Sequence, residues 1–176
     1  LGSPIMPEAI DGVLQSKLES FQLMCDRLNV IDPHDALFLL RHAFSLPKLT
    51  YFLRTSPCFK NTEILKEYDK ALRVALISIL NVGMEDPSWE QCSLPVRMGG
   101  LGIRTASEVS LPAYLSSVSA TFECVTPLLP TYLRNDVNPF FTQAIFQWSN
   151  LLSGEDLPVL KSVQAAWDMP LCKKRF

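Results

Sequence analysis

Between Ala36 and Thr62 the chain carries four cations, Arg41, Lys48, Arg54 and Lys60, and no carboxylate. The whole sequence holds 18 acids against 16 Lys and Arg, a formal net charge of −2, so this window is a local positive patch in a mildly acidic chain. Positive charge is what meets phosphate, and dedicated nucleic-acid binders are usually basic overall. Here only local charge can supply it, and the kink expected at Pro47 scrambles which faces the four cations occupy. A second constellation lies at Leu94 to Arg104. Gly99, Gly100 and Gly102 place three of the seven glycines within four residues, flanked by Arg97 and Arg104. Glycine reaches backbone angles closed to other residues and lets another chain segment come close. The spacing fits neither the dinucleotide fingerprint nor the P-loop, and no Lys-Ser or Lys-Thr follows. The stretch reads as a structural hinge between helices, not as a phosphate cradle.

Other reactive types are sparse. His34 beside Asp35 has the composition of a charge-tuned base, but no Ser or Cys nucleophile is tied to it by spacing, and it reads as a surface histidine in a first helical turn. The five cysteines, Cys25, Cys58, Cys92, Cys124 and Cys172, are scattered with no C-x-x-C pair, and His34 and His42 are the two histidines, so zinc spacing is missing. Reduced, mostly buried thiols in an intracellular protein are the expectation. The adjacent acids Glu85-Asp86 and Glu155-Asp156 each precede a helix start and read as capping acids rather than metal ligands. No catalytic residue and no metal ligand is assigned, which disfavours an independent small-molecule enzyme. Trp89 reads as an anchor over the glycine hinge rather than a base-stacking platform.

The elements that must position these residues are helical. At 176 residues, 48% apolar and 19% charged, the chain suits one domain, or one domain with a helical extension. No apolar run approaches the roughly 20 residues of a membrane span, and no basic region precedes an apolar run as in a secretory signal. Leu1 is not Met, and both ends read as cut from something longer. A stripe through Ile10, Leu14, Leu18, Phe21, Met24, Cys25 and Leu28 predicts an amphipathic helix over 8–30, with Lys17 and Arg27 outside the positive patch. Asp32-Pro33 starts a helix to Ser45, apolar nearly all round and therefore central. Pro47 breaks the chain before a short helix over 48–55. Asn61 or Thr62 caps the next, which Gly83 ends, and Asp86-Pro87 starts a short one.

Thr105-Ala106-Ser107-Glu108 is a capping box, so a helix leaves the hinge at once, with a kink at Pro112. Pro127 and Pro130 mark a loop. Asn138-Pro139 opens a helix that Gly154 closes, and Asp156-Leu157-Pro158 starts a last one with Leu160, Val163 and Trp167 inward. The architecture is all-α, a bundle of about seven helices with a glycine-rich hinge. It divides into a helical domain over 1–126 and a helical extension over 127–176.

Leu94-Pro95 followed by Gly99-Gly100-Leu101-Gly102-Ile103 resembles a segment downstream of the polymerase palm in reverse transcriptases of non-LTR, LINE-like retrotransposons. Further pieces fit the same family in the same order. They are Leu1-Gly2-Ser3-Pro4-Ile5, His34-Asp35-Ala36-Leu37, Leu46-Pro47-Lys48-Leu49-Thr50-Tyr51, Arg54-Thr55-Ser56-Pro57-Cys58-Phe59 and Ala166-Trp167-Asp168-Met169-Pro170-Leu171. The resemblance implies a thumb and post-thumb region, with 1–126 thumb-like, that packs beside an upstream palm. Such a thumb grips the template–primer, an RNA–DNA or DNA duplex, through its sugar-phosphate backbone. It implies Arg41, Lys48, Arg54 and Lys60 for that grip, with Arg97 and Arg104 at the hinge second. Nucleotidyl transfer there uses paired palm aspartates holding two divalent metals, Mg2+ in the family. This sequence has no Asp-Asp pair, so no cofactor is expected in this chain and it is expected to be inactive alone. Nuclear or cytoplasmic residence, weak sequence-independent binding, no membrane and no small-molecule substrate follow from the same reading. The alternative is a domesticated helical protein–protein interaction module without nucleic-acid contact, which the acidic total favours.

Overall fold

The computed structural model describes residues 2–4, 6–131, 138–153 and 156–175. It is all-α, with no strand among the described residues. Among the described residues eight α-helices follow one another: α1 (Ile10–Leu28), α2 (Pro33–Leu39), α3 (Leu46–Thr55), α4 (Thr62–Leu80), α5 (Asp86–Ser93), α6 (Ala106–Val125), α7 (Pro139–Leu151) and α8 (Gln164–Arg175).

The local start signals mostly hold. Asp32 accepts from the His34 backbone N–H at 2.9 Å with Pro33 in the first turn of α2. Asn138 accepts from the backbone N–H groups of Phe140 and Phe141 at 3.0 and 3.3 Å above Pro139. These are the donors that a helix N-terminus leaves unpaired. Along α1 the predicted stripe is buried at Ile10, Leu14, Leu18, Phe21 and Leu28.

Several expectations are corrected. α2 is not surrounded by core: Ala36 is buried, but Phe38 is 63% exposed, and its ring meets the His42 ring at 4.6 Å. Leu40–Phe44 continues α2 as a π turn closed by the Ser45 N–H donating to Leu40 O at 3.0 Å. Pro47 then sits in the first turn of α3, where its missing N–H costs nothing. α4 ends on Asn81, left-handed at φ 51°, and not on Gly83; asparagine tolerates that conformation. Asn61 stands at the N-cap of α4 but turns its side chain to Asp11 Oδ1, 2.7 Å away. The last helix begins at Gln164, not near Asp156. Leu160 and Val163 are 64% and 44% exposed, and the Trp167 indole N–H donates to Lys161 O at 2.7 Å, folding that segment back on α8. Gly154, expected to close α7, and Glu155 lie outside the described residues.

Two apolar cores share one helix. The first gathers α1, α2, α3 and α4 and takes Ala106, Val109 and Ala113 from α6. The second joins Leu111, Tyr114 and Leu115 of α6 to Ala144 and Trp148 of α7, Trp167 of α8 and Phe59. Trp148 and Trp167 meet edge to face at 5.2 Å, and the Trp148 indole N–H donates to Trp167 O at 2.9 Å. α7 and α8 thus build their core on α6, with which α3 also packs extensively.

Candidate nucleic-acid interface

α3 is amphipathic in a way that its sequence dictates. Leu49 and Leu53 are fully buried, four residues apart on one face. Pro47, Lys48, Tyr51, Arg54 and Thr55 are exposed on the opposite arc. Tyr51 is three residues from Lys48 and three from Arg54, a spacing that makes side chains neighbours on a helix surface. Lys48 and Arg54 therefore flank Tyr51. Neither makes a carboxylate ion pair among the described residues: Lys48 Nζ stands 5.9 Å from the Phe44 ring centroid, and Arg54 donates to Gln164 Oε1 at 3.0 Å.

A third cation arrives from α1. Lys17 Nζ lies 5.0 Å from the centroid of the Phe52 ring, which meets the Tyr51 ring edge-on at 5.5 Å. Lys17 was expected outside the patch, and the structure brings it in. Its helical neighbours three and four residues away, Val13, Leu14, Ser20 and Phe21, include no acid. No spacing in the sequence could have revealed this approach, because it depends on how α1 lies against the rest of the fold.

The remaining candidates go elsewhere. Arg41, on the π turn, lies against the glycine loop; a Cβ added to Gly102 would stand 3.1 Å from its Nε. Lys60 Nζ is 4.9 Å from the Phe140 ring centroid at the start of α7. Arg97 is exposed on the loop. Arg104 is committed to the interior. It pairs with Asp168 at 2.6 Å and reaches Cys172 Sγ at 2.9 Å, with only 13% and 15% of the Arg104 and Asp168 side chains exposed. A pair so enclosed fastens α8 to the entrance of α6 and has little freedom to meet an external phosphate. Lys17 thus reaches the helix that carries Lys48 and Arg54, Arg41 lies beside Gly102, and Arg104 is spent on Asp168 and Cys172.

The glycine loop is a folded stop on α5. The backbone N–H groups of Met98, Gly99, Gly100, Leu101, Gly102 and Ile103 all donate inward, to carbonyls of Cys92, Leu94, Pro95 and Val96, at 2.9–3.3 Å. With these donors spent, the loop does not present them to a phosphate. Gly99 and Gly102 take the left-handed φ of 80° and 72° that favours glycine. Gly100 does not. It is required because a Cβ there would lie 2.1 Å from Leu94 O. Trp89 packs on the first core, of which Ile103 at the end of this loop is a member, with the Arg73 guanidinium 6.0 Å from its ring.

The expected capping box at α6 is replaced by a long-range cap. Asp69, in the middle of α4, accepts from the Ala106 and Ser107 backbone N–H groups at 2.6 and 3.1 Å, and from the Ser107 hydroxyl. Thr105 makes no capping bond, and Glu108 pairs with Arg175 instead. Burial pushes the Asp69 carboxyl above its ordinary range, although these donors work in the opposite direction.

Two of the five thiols are disarmed by burial. Burial raises Cys25 to about 11 and Cys58 to about 12, which keeps both protonated. A cavity of about 440 Å³ between α6, α7 and α8 is lined by Phe59, Leu111 and Leu171; of its charged groups Arg104 pairs with Asp168 and Glu108 with Arg175, while Lys174 donates to Leu151 O. Among the described residues no cluster of His, Cys, Asp or Glu is able to hold a metal ion, and no helix is long and apolar enough to cross a membrane. No protein-family model, curated protein or solved structure matches the chain.

Proposed function

We propose that this chain is a thumb-type helical region of an RNA-directed DNA polymerase that grips a template–primer duplex through its backbone, in a nuclear or cytoplasmic setting. The observation that carries the reading is the outer face of α3. Lys48 and Arg54 stand there without ion-pair partners among the described residues, inside a window free of carboxylates, and Lys17 joins them. Backbone contacts of this kind position a duplex without reading its bases. The resemblance in Leu94–Ile103 and the other quoted segments supplies the parent activity. Catalysis and its Mg2+ belong, in this reading, to an upstream palm.

A titration of the 176-residue chain with an RNA–DNA hybrid at two salt concentrations tests it. Neutralising about three phosphates gives a slope of roughly −3 in log affinity against log salt, and Kd no tighter than about 10⁻⁶ M at physiological salt. Reversing Lys48 and Arg54 together removes most of the binding, whereas reversing Lys66 and Lys70 on α4 leaves it. Indifference to the hybrid at low salt, or equal losses in both double variants, defeats the grip.

The competing reading, a protein–protein interaction module, draws on a different surface. Phe122 near the end of α6, Leu128 beyond it, Phe146 in the middle of α7, and Val159 and Leu160 ahead of α8 are each more than half exposed. Exposed apolar patches of this sort mark interaction sites. Self-association abolished by Phe146→Glu, with no salt-dependent binding to the hybrid, favours that module over the grip.

A further inference from the structure

We infer that the α1–α3 face takes an unpaired stretch of nucleic acid, with Tyr51 stacking on a base while Lys17, Lys48 and Arg54 meet the flanking phosphates. This rests on the nucleic-acid reading above and specifies which part of a template–primer the face holds.

The carrying observation is the setting of Tyr51. It is 44% exposed at the middle of the outer arc of α3, between Lys48 and Arg54 at three residues on either side. Behind it the Phe52 ring meets it edge-on at 5.5 Å and is itself covered by Lys17 at 5.0 Å. The Tyr51 side chain is thus backed on one side and open on another. Duplex bases are already stacked on one another and offer their edges to the grooves, so cations alone suffice for a duplex. An aromatic face ringed by cations suits a single strand, whose splayed bases stack on the ring while its phosphates meet the charges. Stacking is indifferent to base identity because every base has a π face. The face therefore favours a single-stranded extension next to a duplex over the blunt duplex.

Fluorescence anisotropy with three probes decides it: a blunt RNA–DNA hybrid, the same hybrid with a five-nucleotide single-stranded overhang, and the single strand alone. The overhang tightens binding by roughly fivefold or more, the lower end of what one stacked base contributes. Tyr51→Ala brings the ratio between overhang and blunt hybrid to about one, and Tyr51→Phe, which keeps the ring, restores it. Circular dichroism of each variant guards against unfolding. If the parent binds blunt and overhang hybrids equally, or if Tyr51→Ala keeps the overhang advantage, the stacking assignment is wrong while the grip stands. If none of the three probes binds at low salt, the grip falls and the stacking with it.

Discussion

The Asp69 carboxylate on α4 caps α6 from 37 residues away, its Oδ1 2.6 Å from the Ala106 backbone nitrogen. Removing it orphans the buried Ala106 donor and its neighbour at Ser107. Asp69→Ala is expected to destabilise the fold by about 2–4 kcal/mol, the cost of a lost cap combined with unpaired buried N–H groups. Asp69→Asn, which keeps one acceptor, costs less. Urea unfolding of both variants measures this, and equal stability of parent and Asp69→Ala refutes the role.

Asp69 also makes a pH signature. Burial raises its folded-state pKa above the ordinary 3.8, so the folded protein retains a proton that the unfolded chain has released. Relative to Asp69→Asn, the parent is expected to be most stable below the unfolded pKa and to lose that increment as pH rises through the raised folded value. Stability differences measured from pH 3 to 7 report it. A difference that grows with pH means that the hydrogen bonds outweigh burial.

Gly100 and Gly83 should respond differently to the same methyl group. Gly100→Ala drives a Cβ to 2.1 Å from Leu94 O, while nothing lies within 4 Å of a Cβ on Gly83. The first is expected to cost about 1–3 kcal/mol or more, as overpacking does, and the second little. Thermal melts of the two variants side by side give the answer; matching melting temperatures contradict the close approach.

Breaking the Arg104–Asp168 pair from one side should be worse than replacing both partners. Arg104→Met leaves Asp168 buried without its cation and is expected to cost about 3 kcal/mol, whereas Arg104→Met with Asp168→Leu recovers much of the loss. Denaturant midpoints of the single and double variants test this. At temperatures where Arg104→Met remains folded, its affinity for an RNA–DNA hybrid should match the parent's, because the guanidinium is spent internally.

The purified 176-residue chain should not extend a primer with either Mg2+ or Mn2+, since it carries no aspartate pair. Incorporation of labelled nucleotide by clean protein would overturn both the grip reading and the absence of a catalytic residue here.

What the sequence announced were features whose cause is local. The stripe of α1 and the helix starts at Asp32 and Asn138 follow from residues within a turn or two of each other. Features with a distant partner were invisible. Asp69 stands in step with Leu65, Leu72 and Leu76 on the buried face of α4, a polar residue in a core register, and that was the available signal. Thr105 and Glu108 had the spacing of a capping box, but Asp69 and Arg175 outcompeted the local bonds. Leu160, Val163 and Trp167 have the spacing of a helical stripe, yet only Trp167 is inward, its indole N–H satisfied by Lys161 O in the loop ahead of α8. Of the six cations singled out, Lys48 and Arg54 share a face by helical arithmetic. The approach of Lys17 and the burial of Arg104 are tertiary events.

α6 hands alternate stretches of its surface to different cores: Val109 and Ala113 to one, Leu111, Tyr114 and Leu115 to the other. The two cores are therefore expected to melt together, since loosening α7 and α8 bares the same helix that α3 leans on. Deuterium uptake should accordingly be slowest at the central amides of α6, which open only when the whole chain does. If the proposed grip is right, a strand bound at the outer face of α3 is expected to slow exchange at the distant Trp148–Trp167 pair through added stability alone.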